Sequence, residues 1–258
     1  MNIFAEKKAV VIGGSGGIGS CISKQLVLSG ADVLIHGGHS SQKFDQLIEN
    51  LNKLSKNNSV TPLVQPLGIK DINQIDNSPL MEHIKNCDIL CVCYGPFLQK
   101  PLEQTSTEEW LETSVLNYAL PGCCISNALP NMISKQWGRI ILMGGTRTHY
   151  INSFTTNAAY AGAKTGLSSL VKSVAHTYAS KGITCNAIMP GFTETEYQSE
   201  ELLKALADKM PLGKLVNPET IASIIMTLLT TPQINGSLIP IDYGWQPGCC
   251  VQQKPFDI

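Results

Sequence analysis

Seven short runs rich in branched aliphatic residues alternate with longer amphipathic segments along this chain, and that alternation constrains its fold more than any other feature. The runs lie near Val10, Val33, Val60, Leu90, Ile140, Ile183 and Ile239, and their nearly continuous apolar character is that of strands buried on both faces. Between them, IGSCISKQLVLSG, SSQKFDQLIENLNKLSK, the stretches Glu108 to Lys135 and Ala158 to Ser180, and NPETIASIIMTLLT read as helices. Asn217 followed by Pro218 has the form of an N-cap with proline in the first turn. Strands alternating with helices need crossover connections, which place helices on both faces of a parallel sheet. The expectation is one α/β domain over residues 1–258, a length ordinary for such a domain. One long irregular region, 191–217, is expected to be functional, because connections of that length in compact domains usually are.

Composition narrows the partners. With 19 Lys+Arg against 20 Asp+Glu and no long run of either sign, nothing favours a nucleic acid or an anionic membrane surface. The start MNIFAEKKAVVIGG meets charge too soon for a secretory signal, and no apolar run approaches the roughly 18 residues of a spanning helix. Nine cysteines, with adjacent pairs at Cys123/Cys124 and Cys249/Cys250, make a poor disulfide framework. Together these point to a cytoplasmic protein with reduced thiols and a small-molecule partner. Cys91 and Cys93 fall inside the apolar run DILCVCYG, so with Cys87 they read as small core residues rather than as metal ligands.

Two motifs carry chemistry. VIGGSGGIGS, from Val11 to Ser20, places Gly13, Gly14, Gly16, Gly17 and Gly19, with Ser15 and Ile18 among them, between a strand and a helix. That is a turn whose backbone amides and helix N-terminus can face a phosphate. NAAYAGAKTG sets Tyr160 and Lys164 four residues apart, hence on one face of a helix, among residues small enough for another body to approach. An ammonium beside a phenol favours the phenolate, so Lys164 is expected to lower the Tyr160 pKa from its usual value of about 10.

The glycine turn, Asn117 in EEWLETSVLNY, the Tyr160/Lys164 pair, Pro190-Gly191 after the sixth strand and the late PLGKLVNPETIASIIMTLL together resemble the short-chain dehydrogenase/reductase family, from Lys8 to about Trp245. The resemblance implies a doubly wound Rossmann-type sheet of seven parallel strands, a nicotinamide dinucleotide across the strand ends, and hydride exchange with a carbonyl or alcohol. Tyr160 is then the general acid and base, Lys164 also binds the nicotinamide ribose, and Asn117 holds a proton-relaying water. Pro190, Gly191, Thr193 and Thr195 are implied around the carboxamide, Thr195 preferred, and Gly95 beside the adenosine. A homotetramer is implied as well, with the helices of Tyr160 and of Glu108 to Lys135 against their copies; Leu116, Ile125, Leu129, Leu167, Leu170, Val171 and Val174 are consistent with it.

Departures from the pattern matter. Where the family places a serine after the fifth strand, this chain has Gly145; Thr146, then Thr148, are the substitutes considered. The fourth strand ends in CVCYG instead of Asn-Asn-Ala-Gly, and Gly68 stands near the place of a common adenine-contacting Asp. Gly37 at the end of the second strand carries no carboxylate to hold ribose hydroxyls and repel a 2′-phosphate, so NADP(H) is preferred over NAD(H), with His39, Ser40, Ser41 and Lys43 as phosphate candidates. YQSEELLKALADKM is either a lid helix or a plain surface helix. Acyl-carrier-linked 3-oxo esters are the commonest substrates among similar proteins, while Arg147, His149 and Tyr150 suit a polar or anionic small molecule equally. The alternative to an enzyme is a catalytically impaired dinucleotide-binding module with a sensing or assembly role, which the missing serine favours and Tyr160, Lys164 and Asn117 disfavour.

Overall fold

The computed structural model describes residues 2–195 and 198–246. Seven strands form one parallel sheet: β1 (Lys8–Ile12), β2 (Asp32–Gly37), β3 (Val60–Val64), β4 (Ile89–Val92), β5 (Gly138–Met143), β6 (Ile183–Pro190) and β7 (Leu238–Ile241). Their order is β3-β2-β1-β4-β5-β6-β7. Val10 at its centre stands opposite Leu34 on one side and Leu90 on the other. The chain winds outward from β1 to β3 and then returns to β4, so a crevice opens at the C-terminal ends of β1 and β4.

Alternate residues of each strand feed two cores. Val10, Ile12, Leu34, Leu90 and Val92 pack under α3 (Pro79–Ile84), α5 (Leu120–Lys135) and α6 (Ala158–Tyr178). Ala9, Val11, Val33, Ile35, Ile89 and Cys91 pack under α1 (Gly17–Leu28), α2 (Gln42–Leu54) and α8 (Pro218–Thr230). Two buried faces are the reason the strand runs are apolar throughout instead of alternating. Asn217 caps α8, its side chain accepting from the Glu219 amide at 2.7 Å with Pro218 in the first turn.

Two expectations need correction, and one crossover carries helices that were not anticipated. The stretch Glu108 to Lys135 is not a single α-helix: α4 (Thr107–Ser114), started by a Ser106/Glu109 capping box, passes through a π-helical turn at Val115–Ala119 into α5. The crossover from β3 to β4 carries a 3₁₀ turn at Ile72–Asn77 and the short α3, too brief to leave a periodic signal. Leu116, Ile125, Leu129, Leu167, Val171 and Val174 lie in this chain's own core, with Leu170 packed against it, so they are not free for a second copy. Among the described residues no helix is long and apolar enough to cross a membrane. Cys249, Cys250 and Tyr197 lie outside the described residues.

Candidate active site

The glycine turn leaves β1 at Gly13, whose φ of +73° lies in the left-handed region that favours glycine. Gly19 packs so tightly on the Gly13 carbonyl that no side chain fits, which brings α1 down onto the turn. Gly16 is the N-cap of α1; no side chain caps this helix, and no acidic residue stands in its first turn. Helix N-termini of this kind favour anions through amides and dipole together. Ser15, beside Gly16, turns toward β2: its Cβ and Oγ lie 3.0 and 3.1 Å from where a side chain on Gly37 would begin. Ile18 packs against the core beneath α1 and α8.

Across the crevice, Tyr160 sits in the first turn of α6 and Lys164 one turn further on. Lys164 is buried, and its Nζ donates to the Met143 carbonyl at 2.8 Å while standing 5.7 Å from the Tyr160 ring centre. Burial depresses the Lys164 pKa to about 8. Burial also pushes the Tyr160 phenol up to about 12, which corrects the expectation that Lys164 lowers it. The ammonium is turned to a backbone carbonyl, so desolvation of the phenolate dominates.

Asn117 is fully buried in the π-helical turn, the kind of helix irregularity that often marks functional positions. Its Nδ2 donates to the carbonyls of Pro96 (3.0 Å) and Thr113 (3.1 Å), while Oδ1 has no partner among the described residues. That oxygen presses on Gly95, and a side chain there would also meet Lys164 Nζ at 3.0 Å. Asn117, Gly95, Lys164 and Tyr160 are therefore one constellation, and its unsatisfied acceptor marks a place for a hydroxyl or a water. An open helix N-terminus on one side and an orphaned acceptor beside a lysine on the other fit a dinucleotide laid across the strand ends.

Gly145 follows β5 and faces the same constellation: a side chain there would start 3.1 Å from Tyr160 Cε1 and 3.2 Å from Thr148 Cγ2. Thr146 turns aside, its Oγ1 donating to the Pro190 carbonyl at 2.8 Å. Thr148 is buried; its Oγ1 accepts from the Gly145 amide (3.0 Å) and donates to the Gly145 carbonyl (2.8 Å). Arg147 takes a φ of +63°, with Nε 3.4 Å from the Tyr150 hydroxyl, whose ring meets His149 edge-on.

Pro190 and Gly191 end β6, where the Gly191 amide donates to the Ile241 carbonyl at 2.9 Å. Thr193 Oγ1 donates to the Gly191 carbonyl at 2.9 Å, and Thr193 bridges to Val216. Thr195 is half-buried two residues on. The helix expected beyond it is present as α7 (Glu200–Ala207). His39 is exposed past the end of β2.

Two residues escaped the sequence reading. Phe97 sets its ring edge-on to Tyr160, with centres 5.0 Å apart at 82°, yet is 60% exposed. His36 lies fully buried in β2. Its position in an apolar strand run was the available signal.

The family model described as short chain dehydrogenase matches residues 7–205. A 3-oxoacyl-(acyl-carrier-protein) reductase of Buchnera aphidicola subsp. Baizongia pistaciae is 31% identical over 248 residues, covering 93% of this chain and 97% of that one. A D-beta-hydroxybutyrate dehydrogenase of Rhizobium meliloti is 28% identical over 262 residues, covering 93% and 98%. Among solved structures, a 3-oxoacyl (acyl-carrier-protein) reductase from Agrobacterium tumefaciens with NADP bound aligns with a TM-score of 0.81 at 20% identity, covering 95% and 96%. At that identity the likeness speaks for the fold.

Proposed function

The chain belongs to the short-chain dehydrogenase/reductase family, and from that premise we propose that it exchanges hydride between NADP(H) and a small carbonyl or alcohol substrate, with Tyr160 as general acid and base. The observation that carries this reading is the convergence of Lys164 and Asn117 Oδ1, unpartnered among the described residues, at Gly95, with the Tyr160 ring 5.7 Å from the same ammonium. When bound, the nicotinamide supplies or accepts the hydride. The phenol of Tyr160, held protonated at neutral pH by burial, gives its proton to the substrate oxygen in reduction. Lys164 serves the ribose hydroxyls, and Asn117 Oδ1 accepts from a water or hydroxyl that returns the proton.

The glycine turn with Gly13, Ser15, Gly16, Gly17, Ile18 and Gly19 would hold the pyrophosphate, Gly95 would lie on the adenosine side, and Pro190, Gly191, Thr193 and Thr195 would hold the carboxamide. NADP(H) is favoured because Ser15 and Phe44 crowd the only place from which residue 37 could extend a carboxylate. Gly38 has open space around it, and His39, Ser40 and Lys43 are exposed nearby. Thr146, next to Gly145, takes the part of the absent serine by exchanging the Pro190 carbonyl for the substrate oxygen. Helix α7, as a lid, would cover the substrate. Cysteines outside any disulfide at Cys21, Cys87, Cys91, Cys93, Cys123, Cys124 and Cys185 suit a reducing, cytoplasmic setting.

Loss of reduced-nicotinamide absorbance, followed with NADPH and with NADH against 3-oxoacyl thioesters, 3-oxo acids and sugar ketones, tests this reading. Turnover with NADPH ahead of NADH is expected. Dinucleotide binding without turnover on any carbonyl would instead support the binding module that Gly145 favours.

A further inference from the structure

His36 is the buried polar residue that the catalytic reading leaves without a role. It lies in β2, and its imidazole spans the two neighbouring strands' exits. Nδ1 accepts from the Gly13 amide at 3.2 Å, and Nε2 lies 2.8 Å from the Gln65 carbonyl. An amide N–H can only donate and a carbonyl can only accept, so the ring must be neutral with its proton on Nε2. Tyr94 ties the same β3 exit a second time, its hydroxyl donating to the Leu67 carbonyl at 2.7 Å.

We propose that His36 is a positioning residue for the dinucleotide: as a neutral strut it fixes the first amide of the glycine turn relative to the β3 exit, and on protonation it lets go of the Gly13 amide while Nε2–H keeps the Gln65 carbonyl. The proposal rests on the cofactor reading above and assigns that site a regulator. Gly13 lies close against the exit of β4, where a Cβ would meet the Tyr94 amide nitrogen at 3.1 Å. An imidazolium would present N–H to N–H at Nδ1 and leave the Gly13 amide without its acceptor, which is costly for a shielded donor. Burial already holds the His36 pKa below its usual 6.5, with the Gln65 carbonyl opposing in part. Titratable groups near the same strand exit include Tyr94, whose phenol burial raises, and Asp71, which accepts from the Gly68 amide; the His36 shift comes from desolvation and the Gln65 carbonyl, with no charged side chain among its causes. The unfolded chain therefore takes up the proton first: global stability falls as pH drops through 6.5, and the folded ring is protonated, and the turn released, only at lower pH.

Three variants separate the bonds. His36→Asn can place Oδ1 where Nδ1 stands and keep the Gly13 bond without a titrating group; His36→Gln reaches Gln65 instead; His36→Leu keeps neither. Calorimetric titration with NADP+ and with NAD+ at pH 8 should find affinity reduced roughly tenfold in His36→Leu and His36→Gln, and within about threefold of the wild type in His36→Asn. From pH 6.5 down to the lowest pH at which the fold persists, the wild type should lose affinity relative to His36→Asn, a comparison that cancels the ligand's own titration. Nitrogen NMR of the dinucleotide-free protein should find a neutral Nε2–H imidazole at pH 7, a result independent of the cofactor reading. Parallel pH profiles for wild type and His36→Asn, or a charged or Nδ1–H ring at pH 7, would overturn the proposal even if His36→Leu fails to fold. A wild type that binds neither dinucleotide would overturn it together with the cofactor reading, and the NMR result would then tell whether the strut itself exists.

Discussion

Gly145 leaves the wall facing Tyr160 without a hydroxyl, and the two threonines after it are already engaged with backbone. If Thr146 substitutes, Thr146→Val should lower turnover roughly ten- to a thousand-fold and Thr146→Ser should restore it, as expected for a lost donor to a developing charge. Steady-state rates on the substrate found will decide, and an unaffected Thr146→Val enzyme removes Thr146 from the site. Lys164 offers a second check. Its folded pKa of about 8 lies below the usual 10.5, so between those values the unfolded chain holds a proton that the folded chain has lost, and stability rises with pH. Denaturant melts of wild type against Lys164→Met should therefore diverge in favour of the wild type from pH 8 to 10, by up to about 1.4 kcal/mol per pH unit. A constant difference would mean the ammonium is not desolvated. The identities of Tyr160, Lys164 and Asn117 were legible in the sequence because motif spacing fixes them. The direction of the Tyr160 shift was not, because it depends on where the ammonium points, and Met143 takes it.

At the scale of elements, the strands and most helices follow from period and punctuation, since a sheet buried on both faces leaves no polar interruptions. What escaped are features set by tertiary contact. The π-helical turn that aims Asn117 between Gly95 and Lys164 has the same apolar spacing as an ordinary helix, and His36 looks like any polar residue at a strand end. The junction of β1 and α1 is the element most sensitive to one added carbon. Gly19→Ala would drive a methyl into the Gly13 carbonyl, so α1 must lift from the turn. The expected result is a melting temperature lower by several degrees, in keeping with overpacking costs of about 1–3 kcal/mol, together with loss of dinucleotide binding. Calorimetry and titration on the same sample check both, and retained binding would mean the turn is not the phosphate site.

For the whole molecule, the interface residues first expected lie inside the chain's own core, and the exposed apolar residues on the same side are Trp110, Leu111 and Tyr118. We predict a homotetramer that covers them. Light scattering at micromolar concentration should give about four times the mass of one chain, reduced by Leu111→Glu, whereas a monomeric wild type would refute it. The central claim is that this molecule is a working oxidoreductase whose proton passes through one phenol, and Tyr160→Phe tests it most directly. Turnover of reduced nicotinamide with an accepted carbonyl should fall about a hundredfold or more, while the dissociation constant for the dinucleotide stays within about twofold of the wild type. A variant that keeps most of its rate would contradict the account.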